Sequence, residues 1–219
     1  MIPFSNRKFW PLFWTQFLGA LNDNVLKNAM VVMITYKGLS VMGLDSPSIV
    51  ALSGGIFILP FFLFSMVAGQ IADKHEKSRL VRIVKVWELL ITLLSSAGFY
   101  FHQVGLLLGA LFMMGMHSTF FGPIKYSALP DVVEPEFLVA ANAYVEVGTF
   151  LAILLGTIGG GVVIALPNGE VFTSLAINFL AILGLIASWR IVNLPSGAKH
   201  LNINLSPVTP VINTLMASP

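Results

Sequence analysis

The sequence contains no cysteine, which excludes a disulfide framework, a thiol nucleophile and a zinc–thiolate centre. Charge is almost as scarce: 10% of the 219 residues are Asp, Glu, Lys or Arg, against about 25% in a soluble globular domain. Hydrophobic residues make up 56% and the mean hydropathy is +0.85, the composition of a membrane protein. The net charge of +2 is small and sits mostly in connecting segments, which argues against a nucleic-acid partner. Catalytic signatures are missing too. There is no serine elbow, metal-binding helix or phosphate-cradling glycine loop. The His-x-x-x-x-Asp arrangement of acyltransferases is absent, because Gly122 stands five residues after His117. Asp23, Glu88 and Glu146 lie on separate segments and could form an intramembrane acid pair, but nothing sets a nucleophile beside them. An enzyme is not expected, nor a metal or cofactor. The first apolar segment is too long for a signal-peptide core and is interrupted by Asn and Asp, so cleavage is not expected either.

What the chain has in quantity is long apolar runs. A membrane-spanning helix takes about 20 mostly apolar residues, and six candidates emerge, at 9–36, 49–71, 83–101, 104–122, 139–165 and 172–192. The expected fold class is all-α, a polytopic membrane protein of six transmembrane helices in one bundle over residues 1–192. The separators carry turn formers: Gly38 to Pro47, His102-Gln103, Pro123 to Pro135, and Leu166 to Glu170. Only Ala72–Arg82 is densely charged. Placing the N-terminus inside gives the cytoplasmic side Arg7, Lys8, Lys74, Lys77, Arg79, Arg82, Lys85, Lys125, Arg190 and Lys199, and leaves Lys37 alone outside. That bias predicts both termini cytoplasmic. Residues 193–219 carry Pro195, Pro207, Pro210 and Pro219 and read as a cytoplasmic linker, the start of the central loop of a longer protein.

The first span contains the most informative stretch, Phe17-Leu-Gly-Ala-Leu-Asn22-Asp23-Asn24-Val-Leu-Lys27-Asn28. An ionisable group at that depth costs about 2.5–3.5 kcal/mol on insertion scales, so it faces a partner, a cavity or a substrate rather than lipid. Asp23 and Lys27 are spaced to share a helix face and can pair. Gln16, Ala20, Asp23 or Asn24, and Lys27 or Asn28 form one polar stripe. Asn142, Glu146 and Thr149 form a second in the fifth span. Glu146 has no local partner in sequence. It is open to protonation, to pairing with Lys27 across the bundle, or to coupling with a cation.

Three motifs carry a resemblance. The segment Gly69-Gln-Ile-Ala-Asp73-Lys74-His-Glu76-Lys77-Ser-Arg79-Leu-Val-Arg82-Ile-Val-Lys85-Val-Trp-Glu88 resembles the loop signature of the major facilitator superfamily, with Glu76 where a second glycine is expected. The resemblance implies a latch at the cytoplasmic mouth, carried by Gly69, Asp73, Lys74 and Lys77, with Arg82, Glu88 and Lys125 around it. Glu88 also reads as a packing partner of Lys85 and Arg82. The run Gly156-Thr157-Ile-Gly159-Gly160-Gly161 is similar to the glycine-rich fifth helix of that superfamily, with Thr157 in place of proline. Its Gly156–Gly160 spacing favours tight helix packing. The third motif is His117-Ser-Thr-Phe-Phe-Gly-Pro123-Ile-Lys125-Tyr126-Ser-Ala-Leu-Pro130. Taken with the first-span stretch and with Asp73, Lys77, Arg82, Lys85 and Glu88, it resembles the lysophospholipid transporter family. The likeness runs from about Phe4 to Val192 and corresponds to the amino-terminal six-helix half of that family.

That resemblance implies movement of lysophosphatidylethanolamine-like lipids from the outer to the inner leaflet of a bacterial inner membrane. It also implies an acyltransferase, fused or separate, that restores the second chain, and a second six-helix half as partner. The residues themselves suit a zwitterionic headgroup: Asp23 and Glu146 would face the ammonium and Lys27 the phosphate, with Asn24, Asn28 and Asn142 in the same stripes. A generic solute or drug carrier of the same superfamily, or a half-transporter inactive without its second bundle, are the other readings. His117 reads as a hydrogen-bonded structural histidine.

Overall fold

The computed structural model describes residues 6–41 and 43–203. Within them the chain forms six long helices: α1 (Phe9–Lys37), α2 (Ser46–Lys74), α3 (Lys77–Tyr100), α4 (Val104–Val132), α5 (Leu138–Ile164) and α6 (Gly169–Trp189). A single 3₁₀ turn, Pro135–Phe137, precedes α5. Local chemistry sets several ends. The Asn6 side chain accepts hydrogen bonds from the backbone N–H groups of Lys8 and Phe9 at 3.0 and 3.1 Å. Gly38 closes α1 in the left-handed region, at φ 59°, where glycine carries no Cβ penalty. Asp45 caps α2 by accepting from Ser48 N at 3.1 Å, with proline in the first turn.

One boundary departs from the sequence expectation. The stretch from Pro123 to Pro135, expected as a separator, is mostly helix, because α4 continues through Pro123 and Pro130 to Val132. Proline removes one backbone donor, and neighbouring helices and hydroxyl side chains make that tolerable in a membrane helix. Lys125 and Tyr126 therefore ride on α4 rather than in a loop. The charged stretch Ala72–Arg82 likewise belongs mainly to helix ends, with only His75 and Glu76 between α2 and α3.

The helices pack as a chain of neighbours, α5–α1–α6–α3–α4–α2, with α1 and α4 touching lightly across the middle. Backbones come close between α1 and α5, where a Cβ added at Gly156 would lie 2.6 Å from Leu21 O and one at Gly160 2.5 Å from Val25 O, and between α2 and α4, where one at Gly115 would lie 2.3 Å from Phe57 O. α2, α4, α5 with its 3₁₀ turn, and α6 are long and apolar enough to cross a membrane. α1 and α3 are the helices that carry the polar stretch and the Lys85–Glu88 pair; Asn22, Asn24, Lys85 and Glu88 are buried inside the bundle, while Asp23, Lys27 and Asn28 are partly exposed. Phe62, Phe150, Ile158, Leu175 and Phe179 point outward, an apolar exterior suited to lipid. Inside are two apolar cores. One gathers Phe9, Leu12, Val81, Ile124 and Leu129, the other Met30, Ile34, Ile91, Phe99 and Leu111. Between them in sequence on α1, α3 and α4 lies a layer of buried polar and charged side chains, including Asn22, Lys85, Glu88 and His117.

Residues 193–203, expected as part of a linker, fold back on the α2–α3 corner. Leu194 is buried, its carbonyl accepts from Lys77 N at 3.2 Å, and Asp73 O accepts from Ala198 N at 2.8 Å. The rest of the expected linker, 204–219, lies outside the described residues.

Candidate functional site

The single polar stripe expected on α1 divides between two sides of the helix. One side holds α1 to α5. Gln16 Nε2 donates to Val145 O at 3.4 Å, Thr149 Oγ1 donates to Gln16 Oε1 at 3.1 Å, and Asn28 Nδ2 donates to Thr157 O at 2.6 Å. Asn24 turns back on its own helix, donating to Ala20 O at 2.7 Å. Asn142 does the same with Leu138 O at 2.9 Å. These three asparagines, expected along a substrate path, all spend a side-chain amide on backbone carbonyls.

The other side carries the charges. Asp23 Oδ2 accepts from Ser118 Oγ on α4 at 2.6 Å, while the Lys27 ammonium sits 4.8 Å from the centre of the Phe57 ring on α2. The Asp23–Lys27 pair that the spacing permits is not formed among the described residues. A hydroxyl on α4 takes the carboxylate, and an aromatic face on α2, an attractive seat for a cation, takes the ammonium. On α5, Glu146 accepts from the Tyr126 hydroxyl. Lys125, 4.7 Å from the Tyr126 ring centre, lies within electrostatic reach of both Glu146 and Asp23. Two acids and two cations thus line the region where α1, α2, α4 and α5 come together.

Beneath Asp23 the layer closes. Lys85 and Glu88, both without exposed surface, form an ion pair, and Asn22 Nδ2 donates to Glu88 Oε1 at 2.9 Å. The Lys85 ammonium fits because Gly19 on α1 and Gly184 on α6 lack side chains. A Cβ at either position would come within 2.9 Å of Lys85 Nζ. His117 brings its Nε2 to 3.3 Å from Glu88 Oε2 and stacks on Phe121. Glu88, expected as part of the cytoplasmic latch or as a packing partner, sits in this layer with Lys85 rather than at the α2–α3 corner.

At that corner Lys77 donates to Asp131 Oδ2 at 2.6 Å and to Ser127 O at 2.9 Å, so its anionic partner comes from α4 and not from Asp73. Arg82 donates to Ile191 O at 3.3 Å. Lys74 borders a cavity of about 600 Å³ with His75, Asn193 and Lys199. Gly69 faces open space. Asp131 escaped sequence reading because it lies between prolines in what looks like a loop. Ser118 and Tyr126 escaped it because a lone hydroxyl carries no spacing signal. Among the described residues no cluster of three or more His, Asp or Glu side chains is placed to hold a metal.

A bundle of membrane-length helices, apolar outside and ionisable within, defines a multi-pass α-helical membrane protein. The chain belongs to the MFS_3 family of the major facilitator superfamily, described as transmembrane secretion effectors, which it matches over residues 3–204. It is similar to proteins named lysophospholipid transporter LplT. The one from Serratia proteamaculans is 27% identical over 207 residues, covering 94% of this chain and 48% of the relative. That from Klebsiella pneumoniae (strain 342) is 29% identical, covering 89% and 45%, and that from Escherichia fergusonii is 31% identical, covering 79% and 40%. The chain spans less than half the length of these relatives.

Proposed function

We propose that this chain forms a six-span bundle of a lysophospholipid transporter. It would lie in a bacterial inner membrane with both ends cytoplasmic, and would move lysophosphatidylethanolamine-like lipids inward for re-acylation by an acyltransferase. The observation that carries the reading is the mixed charge where α1, α2, α4 and α5 meet. Asp23 and Glu146 offer carboxylates to an ammonium, and Lys27 and Lys125 offer cations to a phosphate. A zwitterionic headgroup needs both signs within a few ångströms, and the outward apolar side chains give an acyl chain a wall to lie against. Similarity to named lysophospholipid transporters supports the same substrate class. The polar contacts at the α2–α3 corner, Lys77 with Asp131 and Asp73 with the chain after α6, suit a latch that holds this bundle against a second one during alternating access.

The test is uptake of labelled lysophosphatidylethanolamine by cells lacking their own transporter, with this chain alone and with it joined to the second bundle of a relative. Asp23→Asn and Glu146→Gln are expected to lower uptake by at least tenfold, the size of a lost charge-assisted contact of about 1.4 kcal/mol or more. Unchanged uptake in both variants overturns the headgroup assignment. Uptake of an unrelated solute but of no lysophospholipid favours the generic carrier.

A further inference from the structure

α1 packs closely against both α5 and α6, while α5 and α6 meet each other only lightly, so a strip of α1 stays open between them. That strip faces away from the charged region: Asp23 stands nine residues after Trp14, about two and a half turns, which sets the two on opposite sides of the helix. Where the start of α1 meets the end of α6, the strip deepens into a groove of about 500 Å³. Trp10, Trp14 and Leu18 form one wall, Leu183, Ile186 and Ala187 the other, and Arg190 stands at the rim. Tyr144 of α5 braces Trp10 edge-on at 6.1 Å between ring centres, and Trp14 is half exposed.

Arg190 sets this groove apart from the rest of the lipid-facing surface. Among the described residues its guanidinium has no ion pair and no hydrogen-bond partner, whereas Lys77 and Arg82 at the same end engage Asp131 and Ile191 O. A guanidinium matches a phosphate with two parallel N–H groups, and tryptophan rings and arginine heads settle at the level of lipid headgroups. Trp10 to Leu18 covers about 12 Å of helix, less than the roughly 15 Å of one hydrocarbon leaflet. The groove therefore takes the upper part of one acyl chain and leaves the rest to the bilayer. No acidic side chain lines it, so an ammonium-bearing headgroup finds no carboxylate there. Where α1, α2, α4 and α5 meet, by contrast, both signs are present.

We propose that this groove holds one anionic diacyl glycerophospholipid, with its phosphate on Arg190 and one acyl chain between the two tryptophans and α6. The lipid is a structural companion and not cargo. Its seat lies behind α1 from the charged region, so the inference stands apart from the headgroup reading above. A chain held there fills the space that α5 leaves open and ties the start of α1 to the end of α6.

Tryptophan fluorescence tests it on the purified chain in detergent. Of the four tryptophans, Trp87→Phe with Trp189→Phe leaves only Trp10 and Trp14, both in the groove. Titration with phosphatidylglycerol or phosphatidylcholine brominated on the acyl chain then reports contact as quenching. Phosphatidylglycerol is expected to quench at about fivefold lower concentration, the advantage of one arginine near an anionic headgroup. Arg190→Gln is expected to erase that preference. Arg79→Gln, which removes an exposed cation at the same end, is expected to keep it. Ala187→Phe, which fills the groove, is expected to raise the concentration needed of either lipid. Equal quenching by the two lipids overturns the proposal, as does a preference that survives Arg190→Gln or disappears with Arg79→Gln. Quenching unchanged in Ala187→Phe overturns the seat of the acyl chain.

Discussion

The Lys85–Glu88 pair governs stability at the residue scale because both groups have left water completely. Breaking such a pair by removing one partner costs about 3–5 kcal/mol, since the other charge stays buried without compensation. Lys85→Met is therefore expected to lower the unfolding midpoint sharply, measured by thermal or denaturant unfolding in detergent. Lys85→Met with Glu88→Gln is expected to recover most of the loss, because no lone charge remains. Equal losses in the single and double variants would mean the ammonium matters only for packing between Gly19 and Gly184. Asp23 and Glu146 were legible in sequence, as ionisable groups in apolar runs announce themselves. His117 was legible only as a structural histidine, because what sets it apart arrives from α1 and α3, remote in the chain.

Glycine placement and capping decide matters at the element scale. Gly160 and Gly159 are neighbours on α5, but only the first meets α1, with Val25 O 2.5 Å from its would-be Cβ, while the second faces open space. Gly160→Ala is expected to cost about 1–3 kcal/mol through overpacking. Gly159→Ala is expected to stay within about 0.5 kcal/mol, and unfolding curves of the two variants check the contrast. At the start of α2, hydrogen bonds from the Ser48 side chain and then its backbone N–H hold the Asp45 carboxyl below its ordinary value. A carboxyl lowered in the folded state stabilises above its unfolded value and stops doing so as pH falls through the folded one. Hydrogen-exchange protection of the Ser48 amide is expected to drop below about pH 4, and Asp45→Asn, which still caps, is expected to remove that dependence. All six helices were readable from apolar length. The end of α4 was not, because Pro123 and Pro130 are helix breakers by the rules of isolated chains and are tolerated here by neighbouring helices.

Orientation belongs to the whole molecule. The absence of cysteine leaves a clean background for single-cysteine labelling. With both termini cytoplasmic, a membrane-impermeant maleimide added to intact cells is expected to label Gln103→Cys and Leu166→Cys, and to spare Glu134→Cys and Lys199→Cys until the cells are opened. The reverse pattern would invert the bundle and place Lys77–Asp131 outside.

Composition and the placement of a few charges were enough to fix an all-helical membrane protein and to mark α1 as its polar centre. Free energy of transfer acts on each residue locally and leaves its trace in the linear order. The division of the α1 stripe between α5 and α4, the seat of Lys27 on Phe57, the partnership of Lys77 with Asp131 and the closed layer around His117 depend on which helices become neighbours. Those choices come from close packing between segments far apart in the chain, where a missing side chain such as that of Gly19 or Gly184 decides what a distant ammonium can touch.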